Sequence, residues 1–202
     1  MDNLGNAIEL LSGQHIETAK VNTSGNGIPY LTGPNDFKGK KPFATKYTTH
    51  PKVCCKKNDI LITVKGSGTG SIAVADSKYC ISRQLMAISC RKIDSIFTQY
   101  LLENIERKLK NNASGLIPGI ARLDVLNVKV PEIDISEQRA IADVLSTWDK
   151  AIETIERLIQ AKEQFLKSRF QKYINKQCSY WPHIRPDELF TVITEKNYPN
   201  EE

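Results

Sequence analysis

The chain has 202 residues, enough for one ordinary globular domain plus an additional element. Hydrophobic residues make up 40% and charged residues 25%, the balance of a folded chain rather than a disordered one. The net charge of +5 is a mild basic excess, compatible with a polyanionic partner without requiring one. Cys54, Cys55, Cys80, Cys90 and Cys178 are odd in number and show no Cys-x-x-Cys or Cys/His spacing suited to zinc. They read as reduced cysteines of a cytoplasmic protein. The first residues lack the basic start and apolar core of a secretory leader, and no apolar run is long enough to span a bilayer.

The first stretch, Asn3 to Leu11, reads as a short opening helix that Pro186 to Ile193 faintly repeats. Ser24-Gly25-Asn26-Gly27 and Gly33-Pro34-Asn35-Asp36 are turn signals bracketing a strand at Ile28 to Thr32. Asp59 to Val64 is the clearest strand, being rich in β-branched residues. A glycine-rich turn, Lys65 to Gly70, follows it, and the apolar run Ser71 to Ala75 then returns as a hairpin partner. Leu85 to Ser89 is a further strand. Spacing becomes helical from Ile96 to Leu109, with Phe97, Tyr100, Leu101, Ile105 and Leu109 on one side. Asn111 to Gly115 ends that helix, and Val125 to Val130 reads as a last strand before Pro131.

Beyond Pro131 the texture changes. Ser136 is a plausible N-cap, Glu137 suits the positive helix terminus, and neither Gly nor Pro intervenes before about Ile174. Leu145, Trp148, Ile152, Ile155, Ile159 and Leu166 recur at alternating intervals of three and four, with Lys162 at the expected position between the last two. Ile141, Val144, Ala151, Leu158 and Phe165 form a neighbouring stripe. Glu153 with Arg157, and Glu163 with Lys167, are favourable pairs one turn apart. Such a helix is on the order of 55 Å long. Either it folds back across its own domain, or its far end projects and another helix covers its apolar stripes. The expected organisation is therefore α+β: a mixed-sheet domain over 1–132, a long helix over 133–177 and a tail over 178–202.

Catalytic chemistry is hard to place. The Gly66-Ser67-Gly68-Thr69-Gly70 turn invites a nucleotide reading, yet Ser71 stands where a phosphate-binding loop needs its Lys, and the run that follows is strand-like. A turn that brings backbone N–H groups close to a DNA phosphate is the alternative. An Asn/Asp-Pro-Pro-aromatic segment that would hold a flipped adenine is absent. So is a carboxylate cluster with the Asp…Glu-x-Lys spacing of a magnesium nuclease. His15, His50 and His183 stand apart from one another.

Two segments carry a resemblance. Gly115 to Pro118 with Leu123-Asp124-Val125-Leu126-Asn127-Val128-Lys129-Val130-Pro131, followed by Ser136-Glu137-Gln138-Arg139-Ala140-Ile141-Ala142-Asp143-Val144-Leu145 and Asp149, resembles the junction of type I restriction-modification specificity subunits. Ile28-Pro29-Tyr30-Leu31 and Asp59-Ile60-Leu61-Ile62 with Gly66 and Gly70 resemble two recurrent strands of the same family, although Asn58 stands where a Gly is common.

The resemblance implies half of such a subunit: one target recognition domain, one spacer helix, and the first residues of a second recognition domain. It implies a non-catalytic, sequence-specific reader of double-stranded DNA. Two copies would pair antiparallel through Leu145, Trp148, Ile152, Ile155, Ile159 and Leu166 and read an inverted bipartite site. The partners implied are a methyltransferase subunit and a restriction-translocase subunit, which would carry S-adenosylmethionine, ATP and Mg²⁺; this chain would carry no cofactor. The resemblance assigns no bases. On physical grounds Lys38, Lys40, Lys41, Lys65, Ser67, Thr69, Arg83 and Gln84 are the DNA-contact candidates, with Lys108, Lys110, Asn111 and Asn112 weaker ones. Arg and Gln can grip guanine and adenine edges bidentately, while Lys and small hydroxyls suit phosphates. A small endonuclease with its own active site and a non-specific assembly scaffold are the competing readings.

Overall fold

The computed structural model describes residues 2–66, 68–111 and 119–178. In chain order the strands begin with β1 (Asp2–Asn3), β2 (Ile8–Ser12), β3 (Val21–Asn22) and β4 (Ile28–Leu31). They continue as β5 (Phe37–Lys38), β6 (Lys41–Pro42), β7 (Lys46–Thr48), β8 (Cys54–Cys55) and β9 (Ile60–Thr63). After β10 (Ile72–Val74), β11 (Tyr79–Ile81) and β12 (Leu85–Cys90) come helices α1 (Ser95–Asn111) and α2 (Arg122–Leu126). Strand β13 (Lys129–Val130) then leads into α3 (Ile135–Cys178). The chain divides into two compact units after Thr147, within α3.

Two sheets form the first unit. One has the order β10-β9-β12-β2, with every neighbouring pair antiparallel. The other, β3-β7-β4-β11-β8, is mixed because β11 runs parallel to β4. Strand β9 explains why a continuous apolar run was needed. Ile60 and Ile62 face a cluster that holds Phe97 and Leu102 of α1, whereas Leu61 faces the opposite cluster with Leu31, Ile81 and Leu85. Successive strand residues point to opposite faces, so a strand covered on both sides cannot alternate apolar with polar. Burying each such side chain contributes about 1.5–3 kcal/mol. In α1 the expected stripe holds at Phe97 and in part at Leu101, but Leu102 and Thr98, outside it, are fully buried.

Two expectations fail. Asn3 to Leu11 is not a helix: only Leu4–Asn6 forms a 3-10 turn, and Ile8–Ser12 is strand β2. Its pairing along the length of β12, from Ile8 opposite Cys90 to Ser12 opposite Met86, outweighs local helical spacing. The repeat of that segment at Pro186 to Ile193 lies outside the described residues. Val125 to Val130 is not one strand either. The Asp124 carboxylate accepts the Ala121 N–H and starts helix α2, leaving only Lys129–Val130 extended.

The N-terminus is stitched to the entry of the long helix. Asp2 pairs with Val130 and Asn3 with Lys129, and the Leu4 N–H donates to the Val128 carbonyl at 2.8 Å. Helix α3 is capped by Asp134 rather than Ser136. The Asp134 carboxylate accepts the N–H groups of Ser136 and Glu137 at 2.8 and 2.9 Å, as well as the Ser136 hydroxyl. These donors hold its carboxyl below the usual carboxylate range, the Ser136 hydroxyl being the largest cause.

Gln138 is 6% exposed, and its side chain joins the two helix starts. Its carbonyl oxygen accepts the Asp94 N–H at 3.0 Å, and its amide donates to the Ile133 carbonyl at 3.1 Å. Asp94 in turn caps α1 by accepting the N–H groups of Ile96 and Phe97. From Val144 onward the helix presents its apolar residues to solvent: Trp148 and Leu166 are about two-thirds exposed in the single chain, Ile152, Ile155 and Ile159 about half. At 44 residues the helix is roughly 66 Å long.

Candidate nucleic-acid interface

Three connections meet in the first unit: the β4–β5 turn, the β9–β10 turn and the β11–β12 turn. Glycine makes the meeting possible. A Cβ on Gly68 would lie 2.4 Å from Pro34 Cγ, and one on Gly33 would lie 2.3 Å from Gln84 Oε1. The β9–β10 turn therefore packs on Pro34, and Gln84 packs on the backbone just before it.

The β11–β12 turn is held from several directions. Ser82 donates its N–H to the Leu31 carbonyl at 2.9 Å and its hydroxyl to the Thr32 carbonyl at 2.6 Å. The Gln84 carbonyl accepts the Val64 N–H at 2.8 Å. Thr32 is itself fixed by Asp36, whose buried carboxylate accepts both its N–H and its hydroxyl. On this immobilised backbone the side chains of Arg83 and Gln84 are exposed next to one another. Little ordering entropy remains to be lost when such a turn meets a partner.

Arg83 and Gln84 line one side of a cleft of about 290 Å³. Tyr30, Thr32, His15 and Lys46 also line it. Lys46 and His15 were missed as candidates. Lys46 sits alone in sequence and reaches the cleft only because β7 pairs with β4. Lys65 is exposed and joins Gly119 through an isolated β-bridge. Arg122, also exposed and also missed, reaches the Ser12 hydroxyl at 3.4 Å.

The other candidates lie elsewhere or are engaged. Thr69 is 2% exposed and donates its hydroxyl to the Gly66 carbonyl at 2.6 Å, closing the turn instead of offering the group outward. Lys38 lies 3.3 Å over the Phe43 ring, and Lys40 pairs with Glu103 at 3.0 Å. Lys41 is exposed beside them on the β5–β6 hairpin. Ser67, Asn112 and the side chains of Lys108, Lys110 and Asn111 lie outside the described residues. A second basic region includes Lys56, Lys57, Arg91 and Arg139, but Glu9 pairs with Arg91, and Asp94 lies 3.9 Å from Arg139. Among the described residues no group of His, Cys, Asp and Glu could hold a metal ion, and no helix is long and apolar enough to cross a membrane.

The first unit thus carries a mixed-sheet domain with convergent polar turns, and the chain continues into a long helix. Residues 3–164 match the family described as the type I restriction modification DNA specificity domain, and the chain belongs to that family. It is 33% identical over 171 residues, or 82% of its length, to a putative type I restriction enzyme MjaX specificity subunit of Methanocaldococcus jannaschii, covering 39% of that protein. It is 27% identical over 95% of its length to a putative type I specificity subunit of Mycoplasma pneumoniae, covering 50% of it. The relatives are named as specificity subunits, not as catalytic ones, and the chain spans about half of their length or less.

Among solved structures, a chain from work on complex assembly and conformational transition of the type I R-M system superposes with a TM-score of 0.75 at 26% identity. That match covers 87% of this chain and 44% of the other. The HsdS subunit from Thermoanaerobacter tengcongensis gives 0.68 at 27% identity over 77% of this chain and 38% of its own. The mixed-sheet domain followed by a long helix is shared with these structures.

Proposed function

We propose that this chain reads one half of a bipartite DNA site and that two copies pair antiparallel through α3, which sets the spacing between the halves. The carrying observation is the stripe Leu145, Trp148, Ile152, Ile155, Ile159 and Leu166, exposed along a helix of 44 residues. Spacing of three and four residues is the seam of a helix pair, and burial of each side chain contributes about 1.5–3 kcal/mol. Two-fold pairing makes the target an inverted repeat.

The neighbouring column Val144, Ala151, Leu158 and Phe165 widens the apolar face beyond what one partner helix covers. This supports docking of a helical methyltransferase subunit alongside the pair, with a restriction-translocase subunit completing the enzyme. S-adenosylmethionine, ATP and Mg²⁺ belong on those partners. DNA enters at the three converging turns: Arg83 and Gln84 read base edges, and Lys65, Lys46 and Arg122 hold phosphates.

Enrichment of a random-sequence duplex pool on the purified chain tests the reading. An inverted motif with a fixed spacer supports it. Flat, salt-sensitive binding favours a non-specific scaffold, and Mg²⁺-dependent cleavage by the chain alone favours an endonuclease. Sedimentation of the same protein must show a dimer; a folded monomer overturns the pairing.

A further inference from the structure

Strands β8 and β11 run antiparallel with Cys55 opposite Tyr79 and Cys54 opposite Cys80. The Ile81 N–H donates to the Val53 carbonyl at 3.0 Å, which marks the position next to Cys80 as a hydrogen-bonded pair. Hydrogen-bonded and non-bonded positions alternate along an antiparallel ladder, so Cys54 and Cys80 occupy a non-bonded one. There the Cα atoms lie about 4.5 Å apart and the two side chains leave the same face at closest approach. A disulfide bridges Cα separations of roughly 4.4–6.8 Å. Both residues belong to one apolar cluster with Ile16 and Tyr30.

We infer that Cys54 and Cys80 form a reversible cross-strand disulfide, a modification site on the recognition domain for low-molecular-weight disulfides. Cys54 is partly exposed and Cys80 is buried, which sets the order of events. The Cys54 thiolate attacks one sulfur of a reagent such as oxidised glutathione. A mixed disulfide forms, the reagent's S–S bond breaks, and one thiolate leaves and takes up a proton. Cys80 then gives up its proton and attacks the Cys54 sulfur, expelling the second reagent thiol. Two protein thiols lose two electrons, and the reagent gains them as two thiols.

Burial, and then the nearby Cys80, hold the Cys54 thiol above its ordinary range, so the first step is slow at neutral pH and faster in mild alkali. Cys55 is not a competitor: it points to the opposite cluster, and burial pushes its thiol up to about 12. The closed loop would contain β9, the Gly66–Gly70 turn and β10. It would therefore constrain the unfolded chain and raise the melting temperature.

The test incubates the full chain with oxidised glutathione at about pH 8.5, near the thiol range, followed by alkylation, peptide mapping by mass spectrometry and thermal melting. The expected result is a Cys54–Cys80 linked peptide and a rise in Tm of several degrees that reduction reverses. Cys54→Ser should lose both effects, while Cys90→Ser keeps both. A glutathione adduct that persists on Cys54, a link from Cys54 to any other cysteine, or thiols that all stay reduced would each overturn the inference. The peptide map of the unmutated chain decides this even where a variant folds poorly.

Discussion

Gln138 shows how a single side chain can carry a junction. It is buried, it accepts from Asp94 at the start of α1, and it donates to Ile133 before α3. Gln138→Ala would leave a buried N–H and carbonyl without partners, a loss of about 1–3 kcal/mol measurable by urea denaturation. Asp134 acts at the surface and by charge. Its folded-state carboxyl titrates below the ordinary value, so its contribution is present above the unfolded pKa and is lost as pH falls through the lowered one. The difference in Tm between the wild-type chain and Asp134→Ala should therefore be constant near neutrality and shrink once the pH drops below about 4. For DNA, Arg83→Ala should relax selection at one base position by about 1–3 kcal/mol. Lys65→Ala should weaken all sequences alike and make binding less salt-sensitive. Competition binding against a panel of single-base variants at two salt concentrations separates the two.

Strand β9 and helix α3 are opposite cases at the level of elements. β9 is covered on both faces by the chain's own residues, with Leu61 fully buried among Leu31, Ile81 and Leu85. Leu61→Ala should cost about 2–5 kcal/mol in chemical denaturation, because the rigid clusters around it cannot collapse into the gap. Beyond Val144, α3 has no such cover among the described residues. Ile152→Asp leaves the isolated protomer's apolar exposure no worse, so the loss should appear in association. If two copies pair as proposed, a charged group in the seam costs on the order of 3 kcal/mol, or about a hundredfold in dimer dissociation constant, while β9 and its sheets keep their melting behaviour. Analytical ultracentrifugation across a concentration series reads the first, and near-UV circular dichroism the second.

For the whole molecule, the pairing of β1 with β13 matters most to how the domain meets its helix. Asp2 and Asn3 clasp Val130 and Lys129 immediately before α3 begins, and Leu4 adds a further backbone bond to Val128. Asp2 to Leu4 and the helix entry are thereby tied together, so the first unit includes the first turns of α3, through Gln138 and Ala142. If two copies pair as proposed, each domain is carried on a rod whose register the apolar seam sets. Lengthening α3 by one heptad within that seam should then shift the spacer of the selected DNA motif and leave the half-site sequences unchanged.

Periodicity and composition were sufficient for the elements whose cause is local. The unbroken length of α3, the β9 run, the β9–β10 hairpin and the presence of α1, though not its buried face, are legible, because repeat lengths of 3.6 and 2 follow from backbone geometry. The junction at Pro131 to Asp149 also carried the family. Where long-range pairing competes with local preference, sequence reading failed: Ile8–Ser12 became a strand because β12 accepts it, and a two-residue clasp replaced the expected strand ending at Val130. The candidate site divides in the same way. Arg83 and Gln84 were candidates by residue type, whereas Lys46 and His15 come to line the same cleft only through strand order and turn packing. Thr69, chosen for its hydroxyl, spends that group inside its own turn. Local physics depends on neighbours in the chain and can be read from them, whereas a site assembled from distant turns exists only once the sheets have brought those turns together.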